Sequence, residues 1–327
     1  MRAFVSHDTA LCYWRQHFPL DSEQGRSARV SKAEAHACRK VDVLECVPET
    51  FRIPDAPIDV LLLDAGERRQ SKWVSCHVWN TPIPAGAFHR VCDMYVSSPE
   101  FVFLQMASKV TLRQLVALGC ELCGTYVLLP EGSAHPMSLD DCPTRVAPLT
   151  NVEKIKKFVD KAGKAHGRAK ALRALRYVVD GSRSPMETMA YMLLCLPPKL
   201  GGYGFPKPKM NADIPLDEEG RLIAQRRSCW GDLCWKKATL DIEYHGDVHV
   251  GAAQMKSDVG RELGIEHMGW RVITVTSSQV LDLARFEVVA KEAAARLKKR
   301  LYPQFLGATV ERMALRDELG QWMSPRH

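Results

Sequence analysis

Residues 184–301 alternate between helical and strand-like apolar patterns, and that alternation restricts the chain to a layered fold of helices and sheet. The segment opens with Ser184-Pro185-Met186-Glu187, in which a serine can cap a helix, a proline suits its first turn and a glutamate has the capping-box spacing. The patterns that follow predict the order helix, three strands, helix, strand, helix. They lie at 189–196 (helix), 209–216, 227–235 and 239–246 (strands), 252–268 (helix), 270–276 (strand) and 285–301 (helix).

The first 150 residues carry shorter patterns. An opening helix is followed by a polar loop at 21–34, and apolar runs between 41 and 104 are broken by prolines and glycines. These runs predict strands at 41–47, 58–64 and 73–79, followed by helices at 101–107 and 112–124.

The length of 327 residues fits two domains of ordinary size. We predict a fold of the α/β (α+β) class. Its parts are a smaller α+β domain over 1–150, a basic helical connector over 151–183, a second domain over 184–302 and a tail helix over 303–327.

Composition excludes several classes of protein. Hydrophobic residues make up 46% of the chain and charged residues 25%, which is the usage of a globular protein and not of a disordered one. No apolar run approaches the roughly 18 to 20 residues of a membrane-spanning helix, and the N-terminal segment lacks the apolar core of a signal peptide. The 11 cysteines are therefore expected to be reduced thiols in the cytoplasm. Four of them are predicted to pack in the core rather than to bind zinc, namely Cys120, Cys123, Cys229 and Cys234.

Positive charge is concentrated in one segment. Residues 153–183 contain ten basic and three acidic residues, which accounts for the whole net charge of +7. A concentrated positive strip is typical of a surface that attracts a polyanion such as DNA, although a solvated lysine-rich helix face has the same composition. The residues that we expect to contact phosphate are Lys156, Lys157, Lys164, Arg168 and Lys170.

The two adjacent strand patterns at 227–235 and 239–246 carry the acidic and imidazole groups of a candidate active site. Asp232 lies near the end of the first and Glu243 in the second, so the two carboxylates can meet at one edge of a sheet. Such oxygen ligands suit Mg²⁺ or Mn²⁺, which can assist phosphodiester hydrolysis. His245 projects from the same face as Glu243, and His249 follows closely, so either imidazole can exchange a proton with water. Taken singly, each of these residues also fits a structural role.

The stretch 184–280 resembles the PD-(D/E)xK, restriction-endonuclease-like superfamily, in its branch of Vsr-like (very-short-patch-repair-like) endonuclease domains. The resemblance rests on five motifs in order: Ser184-Pro185-Met186-Glu187, Asp232-Leu233-Cys234-Trp235, Leu240-Asp241-Ile242-Glu243-Tyr244-His245-Gly246-Asp247-Val248-His249, Asp258-Val259-Gly260-Arg261 and Gly269-Trp270-Arg271-Val272-Ile273-Thr274-Val275-Thr276. The superfamily has an αβββαβ core, which agrees with the order predicted from the residue patterns.

The resemblance implies a metal-dependent endonuclease acting on DNA. Asp232 and Glu243 would be the metal ligands, Glu187 the acid of the first helix, and Asp258 and Arg261 a polar pair that orients the site or contacts DNA. His245 stands where most members of the superfamily have lysine, and His249 is its downstream companion in the mismatch-repair pattern. The alternative is a non-catalytic, nucleic-acid-binding or antitoxin-like regulatory protein with a degenerate nuclease fold.

The N-terminal half resembles AbiEi-like abortive-infection antitoxin proteins. The similarity rests on four short segments, namely Val5-Ser6-His7-Asp8-Thr9-Ala10, 58–64, 76–79 and Ser97-Ser98-Pro99 with the helix after it. It implies a cognate toxin or another protein as a partner of this half.

Overall fold

A computed structural model of the protein describes residues 3–16, 27–28, 47–49, 52–53, 55–68, 71–91, 94–129, 139, 142–246, 252–301 and 306–324. The chain forms two compact units. The first is built from the described residues of Met1–Met137 and from Pro143–Val178, and the second from those of Ser138–Cys142 and Val179–Ser324. Both units combine helices with a mixed sheet, which confirms the predicted α+β class.

The first unit contains a six-stranded sheet in the order β2-β5-β6-β1-β3-β4. Strand β1 is parallel to β6, and β3 is parallel to β4, which is the edge strand. The strands are β1 (Ala3–Val5), β2 (Ser27–Ala28), β3 (Ile58–Leu62), β4 (Val74–Val78), β5 (Phe88–Val91) and β6 (Met94–Ser97). Strands β3 and β4 were predicted, whereas β1, β2, β5 and β6 were not, and β2 lies in the segment 21–34 that was predicted to be a loop. The strand predicted at 41–47 lies, except for Val47, outside the described residues.

Five helices belong to the described part of the first unit. They are α1 (His7–Gln16), α2 (Pro99–Met106), α3 (Leu112–Leu122), α4 (Val152–Lys161) and α5 (Arg168–Leu175). Helix α4 packs against α2, and α5 packs against α3. Gly119 on α3 permits close packing, because a Cβ atom there would lie 2.5 Å from Val178 Cγ2. The basic segment 151–178 therefore belongs to the first unit, which differs from the separate connector that the sequence predicts.

The second unit contains a four-stranded sheet in the order β10-β9-β8-β7, with β9 and β10 parallel and the other pairs antiparallel. Its elements are α6 (Pro185–Cys195), β7 (Lys209–Pro215), α7 (Glu218–Ala224), β8 (Ser228–Trp235), β9 (Leu240–His245), α8 (Ala252–His267), β10 (Arg271–Thr276), α9 (Ser277–Leu281), α10 (Leu283–Arg296) and α11 (Leu306–Met323). Every strand predicted in this half is present. Cys229 and Cys234 lie in its core, as predicted, and so do Cys120 and Cys123 in the first unit.

Two local features differ from the expected pattern. The segment Asp217–Gly220 looks like a turn in the sequence, but it begins α7, because the Asp217 side chain accepts a hydrogen bond from Gly220 N at 2.8 Å. The predicted tail helix is present as α11, but it packs against α6 and the turn at Pro198–Leu200 as part of the second unit instead of forming a separate tail. Within the described residues, every helix is too short or too polar to cross a lipid bilayer.

Candidate active site

Three acidic side chains of the second unit share one face of the sheet where β8 and β9 run side by side. The register pairs Cys234 with Asp241 and Leu233 with Ile242. Because side chains alternate along a strand, this register brings Asp232 on β8 beside Asp241 and Glu243 on β9.

Asp232 connects the two strands beyond their last paired residues. Its Oδ2 accepts a hydrogen bond from Tyr244 N at 2.8 Å. Burial raises the pKa of Asp232 to about 6. The hydrogen bond from Tyr244 N lowers this pKa, whereas the nearby negative charge of Glu243 raises it further. Asp232 is therefore partly protonated just below neutral pH.

Glu243 is buried and held by a guanidinium from the covering helix. Both carboxylate oxygens accept hydrogen bonds from Arg261 on α8, which also donates to Trp230 O at 3.0 Å. His245 Nε2 lies 3.7 Å from Glu243 Oε2, and its side chain is 44% exposed at the end of β9. Burial opposes ionisation of Glu243, but hydrogen bonds from His245 and Arg261 outweigh it and lower the pKa to about 2.

Glu187 joins the group from α6. Ser184 caps this helix as predicted, accepting a hydrogen bond from Glu187 N at 3.0 Å. The Glu187 carboxylate, however, accepts from Arg183 N at 2.9 Å and from Asn211 Nδ2 at 2.6 Å. Asn211 lies on β7 with a positive φ of 43°, which asparagine tolerates better than most residues. Burial raises the pKa of Glu187 to about 8, and the negative charge of Asp232 contributes to the increase.

Asp241 is a site residue that sequence reasoning did not identify. It fits the pattern of a charged residue on a solvent-facing sheet edge, but it is 0% exposed. Cys234 Sγ donates to its Oδ1 at 3.3 Å, whereas none of the described residues donates to the buried Oδ2. Burial and the charge of Glu243 raise the pKa of Asp241 to about 8, so it carries a proton at neutral pH and can donate it in a hydrogen bond to Glu243.

Gly231 provides the space for the Asp241 carboxyl group. A Cβ atom at residue 231 would lie 2.2 Å from Asp241 Oδ2 and 2.5 Å from Cys234 Sγ. At these distances the buried Asp241 carboxyl group and the Cys234 thiol would have to move to accommodate a Cβ atom. Sequence patterns contain no signal for this requirement, because it depends on which face of β9 becomes covered.

The structure brings together five of the predicted site residues, namely Glu187, Asp232, Glu243, His245 and Arg261. His249 lies outside the described residues. Asp258 belongs to α8, but its side chain also lies outside them.

The predicted phosphate-contacting residues lie on and between α4 and α5, in the first unit, and most have partners. Lys156 pairs with Asp160 at 2.6 Å and Lys157 with Glu153 at 2.6 Å. Arg168 donates to Val159 O at 3.0 Å, and Lys170 Nζ donates to Val110 O at 2.9 Å. Lys164 is exposed. Lys170 therefore has a structural contact, whereas the ion pairs of Lys156 and Lys157 are exposed and weak.

The donor chemistry of the carboxyl cluster fits a hard divalent cation only in part. Among the described residues, no group of three or more His, Cys, Asp and Glu side chains is arranged to hold a metal ion. The recorded hydrogen bonds of Asp232 and Glu187 use one carboxylate oxygen each, which leaves oxygen donors of the type that Mg²⁺ prefers. Both oxygens of Glu243 accept hydrogen bonds from Arg261, so that guanidinium competes with a cation for the negative charge of Glu243.

No protein-family model, curated protein or solved structure matches this chain.

Proposed function

We propose that the second unit hydrolyses phosphodiester bonds of DNA with a divalent cation, Mg²⁺ or Mn²⁺, as its cofactor. The observation that carries this proposal is the convergence of Glu187, Asp232 and Glu243 beside Arg261 and His245. The order of elements supports it, because apart from the additional helix α7 between β7 and β8 it is the order of the αβββαβ core of the PD-(D/E)xK superfamily.

Each residue of the cluster would have a separate role in the proposed hydrolysis. Asp232 and Glu187 would hold the cation, which when bound polarises the phosphodiester and neutralises developing negative charge. Arg261 is fixed by Glu243 and Trp230 O, so its positive charge is positioned to attract a phosphate oxygen. His245 is exposed enough to meet water, and its neutral imidazole can accept the proton of the attacking water molecule.

One observation favours a second candidate, a nucleic-acid-binding protein without catalysis. Arg261 occupies both oxygens of Glu243, and His245 replaces the lysine of most superfamily members. A guanidinium in that position can stand in for the cation and leave a positively charged binding site. A protein partner for the first unit, such as a cognate toxin, stays a prediction.

Plasmid DNA incubated with the purified protein distinguishes the two candidates. Cleavage in Mg²⁺ or Mn²⁺ that stops in EDTA is expected, and Asp232→Asn should abolish both the cleavage and the stabilisation of the fold by the cation. The matched control is Asp213→Asn, which makes the same chemical change at an exposed position of β7. Cleavage by Asp232→Asn at the native rate would refute the catalytic assignment. DNA binding without cleavage would support the second candidate.

A further inference from the structure

The first unit contains an open cavity of about 510 Å³ beside the edge strand β4. Its polar lining includes two cationic side chains and two hydroxyl groups, from Arg68, Lys72, Ser71 and Ser75. No carboxylate is among its described lining residues. The volume falls within the roughly 300 to 1,000 Å³ that small-molecule sites occupy in proteins.

The two cations are available to a ligand. Arg68 and Lys72 are both exposed, and neither forms an ion pair within the described part of the chain. Lys72 Nζ instead lies 4.6 Å above the ring of Trp73. Two cations without ion pairs among the described residues attract an anion to this cavity, and the lining residues Ser71 and Ser75 carry hydroxyl groups that can donate hydrogen bonds.

Ser75 is oriented by a buried carboxylate. Strands β3 and β4 pair Asp59 with Ser75, and His77 follows two residues later on the same face. His77 Nε2 lies 2.6 Å from Asp59 Oδ1 and 3.3 Å from Ser75 Oγ. Because the short contact to Asp59 takes the single N–H at Nε2, Ser75 keeps its own proton to donate to a bound anion. The same geometry excludes a serine nucleophile, since that nitrogen cannot also accept the Ser75 proton.

Trp73 lies in the chain between the lining residues Lys72 and Val74, and although it does not itself line the cavity, it adds an aromatic ring beside Lys72. Its side chain is 57% exposed, and its backbone N–H donates to Ser71 Oγ at 3.1 Å, which orders the segment that leads into β4. Exposed aromatic rings beside cations are the combination with which proteins bind nucleotides, because the base stacks on the ring and the phosphate meets the charge.

We propose that this cavity binds a nucleotide unit, with the phosphate between Arg68 and Lys72 and the base stacked on Trp73. The site belongs to the first unit and is independent of the carboxyl cluster, so it can be present whether or not the second unit cleaves DNA. A free nucleotide and one nucleotide of a single strand have the same chemistry at this site.

Titration calorimetry with four ligands tests the proposal on the full chain: inorganic phosphate, thymidine, thymidine 5′-monophosphate and an oligothymidylate of about eight nucleotides. The monophosphate or the oligonucleotide is expected to bind more tightly than either phosphate or thymidine. Arg68→Gln or Lys72→Gln should weaken binding roughly tenfold or more, and Trp73→Ala should weaken it by about 5- to 150-fold without changing phosphate binding. The matched control is Lys299→Gln, an exposed lysine of the second unit that lies outside the basic segment 153–183.

The outcomes separate the sources of the ligand. Binding of the monophosphate assigns the site to a free nucleotide, and binding of the oligonucleotide alone assigns it to a strand. Binding of phosphate with no contribution from Trp73 would overturn the proposal, and so would an equal loss of affinity in the Lys299→Gln control. The absence of binding by all four ligands would overturn it as well.

Discussion

Replacing Arg261 by methionine is expected to turn Glu243 from a stabilising charge into a destabilising one. In the native protein, Glu243 is buried, yet hydrogen bonds from His245 and Arg261 lower its pKa from 4.5 to about 2. That difference corresponds to about 3 kcal/mol in favour of the ionised form in the folded state. Removing one partner of a buried ion pair typically costs about 3 to 5 kcal/mol. We therefore expect Arg261→Met to lower the free energy of unfolding by about that amount at pH 7.

The loss should depend on pH in a direction that follows from the two pKa values. In the native protein, ionised Glu243 stabilises the fold fully above pH 4.5, and this contribution is lost as the pH falls toward about 2. In Arg261→Met, burial without the guanidinium should raise the pKa of Glu243 above its unfolded value. The folded variant would then hold a proton that the unfolded chain releases, so its stability falls as the pH rises. The difference between the two proteins should be small near pH 3 and largest at neutral pH.

Urea unfolding in EDTA across this pH range measures the effect without a bound cation. The control is Arg285→Met, because Arg285 is exposed on α10 and has no ion pair among the described residues. In a Glu243→Gln background, the pH-dependent part of the Arg261→Met loss should disappear, as a double-mutant cycle would show. An equal loss at pH 3 and at pH 7 would refute the electrostatic account and leave only the packing of the side chain.

Three further predictions concern catalysis, DNA binding and packing. His245→Ala should lower the cleavage rate by about 10² to 10⁴-fold while cation-dependent stabilisation is kept. His245→Lys should remove the pH dependence that is due to the imidazole. A native cleavage rate in His245→Ala would contradict the role of His245 as the base. Changing Lys156, Lys157 and Lys164 together to Gln should flatten the slope of log affinity for DNA against log salt by about 0.9 per lost phosphate contact. An unchanged slope would mean that these lysines are solvated and do not contact DNA. Gly231→Ala should destabilise the fold by about 1 to 3 kcal/mol or more, because its Cβ would lie 2.2 Å from Asp241 Oδ2. Gly320→Ala, whose Cβ meets nothing within 4 Å, is the control and should be neutral or stabilising in thermal unfolding.

The strands and helices of the second unit could be predicted because their signals are local. Ser184 caps α6 with the expected side-chain hydrogen bond, and the β-branched run of β10 produces a strand of the expected length. In the first unit, β1, β5 and β6 have only three or four residues each, which is too short for a repeating pattern to be distinguished. Their pairing depends on residues far apart in the chain, since β1 lies between β3 and β6.

The composition of the candidate site could be predicted better than its protonation. Asp232 and Glu243 were expected to meet because adjacent strands place them together, and the register agrees. The burial of Asp241 could not be predicted, because apolar and acidic residues alternate in Leu240-Asp241-Ile242-Glu243. That alternation is typical of a strand with one solvent-facing side. Its acidic face is instead covered by α8, from which Arg261 reaches Glu243. The partners of Glu187 were missed for a similar reason, because Asn211 comes from a different strand.

The charges of the cluster explain why Glu243 is ionised at neutral pH whereas Asp241 and Glu187 are mainly protonated. Three carboxyl groups, those of Asp232, Asp241 and Glu243, lie near the guanidinium of Arg261, which is hydrogen-bonded to Glu243. Glu243 therefore stays ionised, while Asp241 beside it and Glu187 near Asp232 have pKa values raised to about 8. Protonation of these two groups compensates for the lack of further positive charge, because each proton neutralises a buried carboxylate whose charge burial would penalise. Any cation that binds to Asp232 and Glu187 must displace a proton from Glu187, so its affinity should rise with pH up to about 8. The Glu243–Arg261 pair, by contrast, needs no added cation. It keeps its charges while the neighbouring carboxyl groups of Asp232 and Glu187 gain or lose protons.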